Sequence, residues 1–317
     1  MNNPNKSSNR LPWFTADDLV AAVFGLIFCM FFFVLPVFRD EEALAAAAVQ
    51  AAKQAPFISA NIEAEAAYVY DIRGGRVLFE KNAEAALPLA SLTKIMTAFA
   101  ALEAVPETSI VTIEKEDLEL EGDSGLFANE KWQLRDLLAL TLIESSNDGA
   151  YAVSGAVGEA LGGADKAAGR DAFVDFMNRT AAELGLTQTH FSNATGLDET
   201  LDIAGGYGSA KDMAILMSIA VEKYPDLFRN TKYNRLDIES LSELPHTAVN
   251  TNKGLDSLPI VIASKTGFTD LAGGNLVVVL NAGIGRPYVV VVMHSTENGR
   301  FEDVNQLAWA TLDYISK

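Results

Sequence analysis

The alternation of polar and apolar positions divides the chain into distinct stretches. Leu19 to Phe38, "LVAAVFGLIFCMFFFVLPVF", carries no charged side chain. At that length it can cross a bilayer as a helix. The next stretch, "RDEEALAAAAVQAAKQAP", is Ala-rich, charged toward both ends and closed by Pro56, the pattern of a short helical stalk. A folded domain is expected from about Phe57 to the end. In it, "AAYVYDIRGGRVLFEKN" alternates on both sides of Gly74-Gly75 and predicts a β-hairpin. From Leu92 to about Leu241 helical periodicity dominates, as in "RDLLALTLIESSND", "RDAFVDFMNRTAAELG" and "AKDMAILMSIAVEKY". Apolar β-rich runs then return in "LPIVIASK", "GNLVVVLNAG" and "RPYVVVVMHS", separated by Gly-containing turns that favour antiparallel pairing. "FEDVNQLAWATLDYISK" closes the chain as an amphipathic helix. Strands come from both ends of the domain with helices between them. The expected fold class is therefore α+β: one antiparallel sheet completed by the N-terminal hairpin, flanked by helices, with a helical subdomain beside it. A cleft between such layers is a favoured place for a site.

Composition narrows the partners. With 317 residues, 49% of them apolar, the chain can bury the core of one or two domains. A net charge of -18 argues against a nucleic-acid partner, which would want a basic face. His190, His246 and His294 lie far apart, outside any ligand spacing, so neither a metal site nor a cofactor is expected. The single cysteine, Cys29, falls inside the apolar run, which leaves the folded domain without a disulfide. That run exceeds the apolar core of a cleavable signal. It reads as an uncleaved anchor, even though Ala43-Leu44-Ala45 resembles a cleavage site. Lys6 and Arg10 before the run and Arg39 and Lys53 after it leave the positive-inside count balanced.

The candidate chemistry begins at "ASLTKIMTA", where Ser91 and Lys94 stand one helical turn apart. Such a pair occurs by chance in chains of this length, but it is also the layout of an activated nucleophile. Two further triplets follow: Ser145-Ser146-Asn147 near the end of an apolar helix, and Lys265-Thr266-Gly267 at the end of the first returning strand. Alone, the first is an ordinary cap and the second an ordinary strand end. Together, in the order S-x-x-K, S-x-N, K-T-G, and in the contexts of helix start, subdomain loop and sheet strand, they are the signature set of penicillin-recognising serine enzymes.

The chain from about Ala66 to Tyr314 resembles the low-molecular-mass D-alanyl-D-alanine carboxypeptidases of peptidase family S11. "SLTKIMTA", "GDSGLFANEKWQLRDLLALTLIESSNDGA", "FVDFMNRTAAELGLTQTHFSNATGLDE", "KTGFTDLAGGNLVV" and "NGRFEDVNQLAW" are similar, in order, to blocks of that family. The resemblance implies a β-lactamase/DD-peptidase-like fold and a serine-type carboxypeptidase that trims peptidoglycan stem peptides through an acyl-enzyme on Ser91, with β-lactams as covalent inhibitors. Lys94 would take the Ser91 proton, its pKa lowered by burial and by a second cation, Lys265. Ser145 would relay the proton to the leaving amine, and Asn147 would hold the amide on the acyl side. Lys265 and Thr266 would bind the terminal carboxylate, Gly267 would leave room for substrate, and the Phe268 N–H would complete an oxyanion hole with that of Ser91. Arg300 matches the arginine that assists the carboxylate, with a solvated surface arginine as the competing reading. Asp148 is expected to steady its loop. Gly149 stands where the family often has Ala.

These readings partition the chain into a cytoplasmic tail (1–18), a single-pass transmembrane anchor (19–38), a stalk (39–56) and an extracytoplasmic catalytic domain (57–317). In the best-known branch of the family a second β-rich domain and a C-terminal amphipathic anchor follow; here the anchor is expected at the N-terminal side. D,D-endopeptidase action shares every motif and stays open. A class A β-lactamase would need an E-x-x-L-N stretch between Asn147 and Lys265, which the sequence lacks. A non-catalytic penicillin-recognising module would have been free to lose one of the five motif residues.

Overall fold

In the computed structural model, residues 44, 49–51, 53–283 and 285–316 are described. The chain divides into two compact units, Met1–Lys53 and Gln54–Lys317. Of the first, the described residues are helical. The apolar segment 19–38 lies outside the described residues. Among those described, no helix is long and apolar enough to cross a membrane.

The second unit is built on a five-stranded antiparallel sheet. Strands β1 (Ala66–Asp71) and β2 (Arg76–Lys81) form the expected hairpin; β3 (Val261–Thr269), β4 (Gly273–Asn281) and β5 (Pro287–Ser295) are the three returning runs. The order across the sheet is β3-β4-β5-β1-β2, so the N-terminal hairpin pairs onto the last strand, with Ala66 opposite Met293. Alternation along each strand serves two cores. Val277, Val279, Val289, Val291 and Met293 face the helical subdomain; Leu276, Val278, Leu280, Val290 and Val292 face the opposite side. Because both faces are covered, these strands read as unbroken valine-rich runs instead of alternating polar and apolar positions.

Helix α1 (Thr93–Ala104) is the axis of the helical subdomain, with Thr93 to Ala101 buried without a break. A helix apolar all round belongs in a core, and truncating Ile95 or Met96, both fully buried, would cost about 2–5 kcal/mol. Around it stand α2 (Leu134–Glu144), α3 (Asn147–Ala160), α4 (Lys166–Glu183) and α5 (Ala210–Lys223), the last also packed on β5 and β1. On the far face α6 (Gly299–Ser316) buries Val304, Leu307 and Ala308 against the sheet.

Two details differ from the pattern reading. "RLDIE", at the end of the stretch expected to be helical, is a strand, Arg235–Glu239, and pairs as a hairpin with "PHTAV", Pro245–Val249, just beyond that stretch. Their intermediate–exposed alternation is that of a sheet lying on the subdomain surface. The apolar helix ends at Glu144, beside the S-x-N triplet as expected, but a second helix starts at once: Ser145 takes a left-handed conformation (φ 65°), and Ser146 caps the new helix by accepting from Gly149 N at 2.9 Å.

Candidate active site

The three motifs meet where the helical subdomain abuts β3, the edge strand of the sheet. Ser91 lies in a 3-10 turn, Ala90–Leu92, that leads directly into α1. The turn is entered through Ala90 at φ 47°, a strained value for a residue with a side chain. Asn275, fully buried on β4, donates to Pro88 O (2.9 Å) and Leu89 O (3.0 Å) and accepts from His294 N (2.8 Å), which clamps the approach to this turn. Strand β3 comes so close that a Cβ on Gly267 would stand 2.9 Å from Leu89 O and 3.2 Å from Ser91 N. Only glycine admits that approach.

Lys94 is fully buried, one turn beyond Ser91. Its Nζ lies 2.9 Å from Ser91 Oγ, 2.7 Å from Asn147 Oδ1 and 2.7 Å from Thr195 O. Three partners suit either protonation state. As an ammonium, Lys94 donates to all three; as an amine, it donates to Asn147 Oδ1 and Thr195 O and turns its lone pair to the Ser91 hydroxyl. Burial lowers its pKa from 10.5 to about 7. Desolvation disfavours the ammonium, and no carboxylate stands among these three partners to oppose it.

Asn147 opens α3. Its Nδ2 donates to Glu121 O at 2.7 Å, which fixes the amide with its oxygen toward Lys94. Asp148, buried beside it, accepts weakly from Ser124 N at 3.4 Å, so the 121–124 loop is tied to the S-x-N turn as expected. Burial raises the Asp148 pKa. A Cβ on Gly149 would stand 2.3 Å from Thr141 Oγ1, so the threonine takes up the space that an alanine at 149 would need.

Lys265 is also buried, and its Nζ donates to Ser145 Oγ (2.8 Å) and Thr266 O (2.8 Å). Ser145 therefore rests on Lys265, with its own proton left to point elsewhere. The pKa of Lys265 is pushed well down by burial first, then by Lys94 and Arg300. Burial is the largest cause for each lysine, and the repulsion between the two ammonium groups acts on both. Two neighbouring buried amines do not both hold a charge cheaply.

Thr266 Oγ1 meets Thr251 Oγ1 at 2.5 Å. Phe268 follows on β3 opposite Gly274 and is 43% exposed as a residue. Arg300 is 7% exposed, and its Nη1 donates to Gly267 O at 2.6 Å. It is thus a buried brace behind the K-T-G strand and not the solvated arginine of the competing reading. Burial lowers its pKa.

The site also uses groups without a motif. Thr195 contributes a backbone carbonyl, which no side-chain pattern announces; its turn is held by Asn193 Oδ1, which accepts from Thr195 N, Thr195 Oγ1 and Gly196 N. Glu121 likewise contributes a carbonyl, and Thr251 is a lone threonine in a polar turn. The histidines stand outside this constellation: His246 pairs with Glu130 (2.6 Å), His294 meets Ala272 O (3.0 Å) and His190 lies on a short strand.

An antiparallel sheet with a helical subdomain, and a Ser–Lys pair, a Ser-x-Asn turn and a Lys-Thr-Gly strand at their junction, define the penicillin-binding DD-peptidase fold class. The Streptomyces K15 DD-transpeptidase crystal structure superposes with a TM-score of 0.71 at 26% identity, over 81% of this chain and 98% of that one. The chain belongs to the D-alanyl-D-alanine carboxypeptidase family, peptidase S11, whose family model matches residues 48–297. It is 32% identical to the D-alanyl-D-alanine carboxypeptidase DacA of Escherichia coli over 78% of this chain and 61% of that one. It is 30% identical to a D-alanyl-D-alanine endopeptidase of Haemophilus influenzae over 68% of this chain and 69% of that one. The chain thus spans about three fifths of the length of the carboxypeptidase relative.

Proposed function

We propose that the chain is a serine D-Ala-D-Ala carboxypeptidase that removes the terminal D-alanine of peptidoglycan stem peptides through an acyl-enzyme on Ser91. The observation that carries this reading is the buried Lys94, its Nζ 2.9 Å from Ser91 Oγ and its pKa lowered to about 7. A base needs to be neutral near working pH and in reach of the proton it takes. Ser91 Oγ attacks the penultimate carbonyl as Lys94 accepts its proton. The oxyanion forms against the backbone N–H groups of Ser91 and Phe268. The Ser145 hydroxyl, held at its oxygen by Lys265, relays a proton: it gives its own to the departing D-alanine nitrogen and regains one from the Lys94 ammonium, which returns Lys94 to the neutral amine. Thr266, Lys265 and Arg300 favour the terminal carboxylate, whose negative charge in turn favours the ammonium of Lys265. Water then releases the acyl group. β-Lactams enter by the same acylation and deacylate slowly.

Residues 19–38 act in this reading as a single-pass anchor, with 39–56 as stalk and the catalytic domain outside the cytoplasmic membrane, where cell-wall peptides are found. The length and charge-free character of the segment support it. The endopeptidase relative supports a second reading with the same chemistry on a cross-link. Incubating the full chain in detergent with defined muropeptides and weighing the products separates the two. Loss of one alanine residue is expected; cleaved cross-links with intact pentapeptides would make it an endopeptidase. A reporter fused after Lys317 that works only in the cytoplasm would overturn the proposed topology.

A further inference from the structure

The contact between Thr251 and Thr266 joins a residue of the K-T-G motif to one that no motif includes. Among the described residues, each of the two hydroxyls has the other as its only hydrogen-bond partner, at 2.5 Å. Thr251 is held firmly. Its N donates to Ile143 O (3.2 Å), two residues before Ser145. On one side Asn250 Nδ2 donates to Thr231 O (2.8 Å) and Tyr233 O (2.9 Å); on the other Asn252 N donates to Asn250 Oδ1 (2.8 Å). Thr231 Oγ1 in turn accepts from Ser264 N (2.9 Å), two residues before Thr266 on the same strand. The S-x-N helix end and the K-T-G strand are thus both referenced to Thr251.

Two hydroxyls share one contact, so one proton is used in it and one is left over. If Thr266 donates, its proton is consumed and it turns lone pairs toward an arriving carboxylate, which repels it. If Thr251 donates, the spare proton is on Thr266, and donation into its oxygen polarises that O–H further.

We propose that Thr251 is a positioning residue for recognition of the substrate's terminal carboxylate: it donates into Thr266 Oγ1 and so aims the Thr266 proton at the carboxylate. This rests on the carboxypeptidase reading above and adds to it a selectivity determinant outside the three motifs.

The test is the ratio of kcat/KM for an acyl-D-Ala-D-Ala peptide to that for an acyl-D-Ala ester without a carboxylate, with enzyme normalised by penicillin labelling. For Thr251→Val the ratio should fall about tenfold, the lower range for a hydrogen bond to a charged group. Thr251→Ser should restore it to within about twofold of wild type, since the hydroxyl returns. In a Thr266→Val background, adding Thr251→Val should leave the ratio where Thr266→Val alone puts it. A purely structural role for Thr251 would lower peptide and ester turnover together and leave the ratio unchanged, which would overturn the proposal, as would a serine variant as impaired as the valine one. Failure of the underlying reading looks different: wild-type enzyme would turn over neither compound.

Discussion

The base assignment predicts a particular pH profile. An ordinary lysine, with a pKa of 10.5, would be neutral in only about 3 molecules in 10,000 at pH 7. Lys94, lowered to about 7 by burial, is neutral in about half. The shift from 10.5 to about 7 corresponds to about 5 kcal/mol of disfavoured ammonium. The rate constant for acylation by a fluorescent penicillin should therefore climb about tenfold per pH unit on the acid side, bend near pH 7 and level off above about pH 8. Lys94→Arg should lower the plateau by about a hundred- to ten-thousand-fold and remove the bend, because guanidinium stays protonated. The same shift enters stability with a definite sign. The folded pKa lies below the unfolded one, so between about pH 7 and 10.5 the unfolded chain binds more protons. Stability should rise with pH across that window, by up to about 1.4 kcal/mol per unit for this group. Stopped-flow labelling from about pH 5.5 to about pH 9 reads the first effect, and urea unfolding of wild type against Lys94→Met reads the second. A flat acylation profile, or an arginine variant that acylates near the wild-type rate, would refute Lys94 as the base.

Other residues give sharper, smaller tests. Gly267→Ala places a methyl group against backbone at Leu89 and Ser91; it should cost about 1–3 kcal/mol and slow penicillin acylation about tenfold or more. Thermal unfolding and labelling read the two, and an unchanged acylation rate would mean that the strand does not press on the nucleophile turn. Asp117, fully buried, accepts from Arg170 at 2.7 Å and Lys166 at 3.4 Å beneath the loop that reaches Asn147 through Glu121. Asp117→Asn should destabilise by about 3 kcal/mol, by leaving part-buried Arg170 without its anion and Lys166 with Glu114 alone (3.1 Å), and should slow acylation as well; an unshifted unfolding midpoint would contradict this.

Much of this arrangement was legible in the sequence, for reasons that can be located. Ser91, both lysines, Ser145 and Asn147 present their polar groups in side chains at fixed spacings, so order and context were enough to expect them at one place, where the structure brings them together. The sheet was legible because its strands are covered on both faces and read as valine runs. The Arg235–Val249 hairpin was not, since a short exposed sheet yields a weak alternation that a helical neighbourhood masks. The helix end near Ser145 was legible, but its left-handed backbone was not, being set by the turn between two helices and not by its own propensity. Thr195 and Glu121 act through carbonyl oxygens, which every residue has. Arg300 could be matched by its motif, but its burial behind Gly267 depends on α6 packing against the sheet, a tertiary fact.

The central claim is that Ser91 forms the acyl-enzyme, and mass spectrometry of the penicillin-treated full chain tests it most directly. The account predicts one penicilloyl group per chain, mapped after proteolysis to the peptide containing Ser91 and absent from Ser91→Ala. Label on another residue, or no adduct on the folded domain, would contradict it.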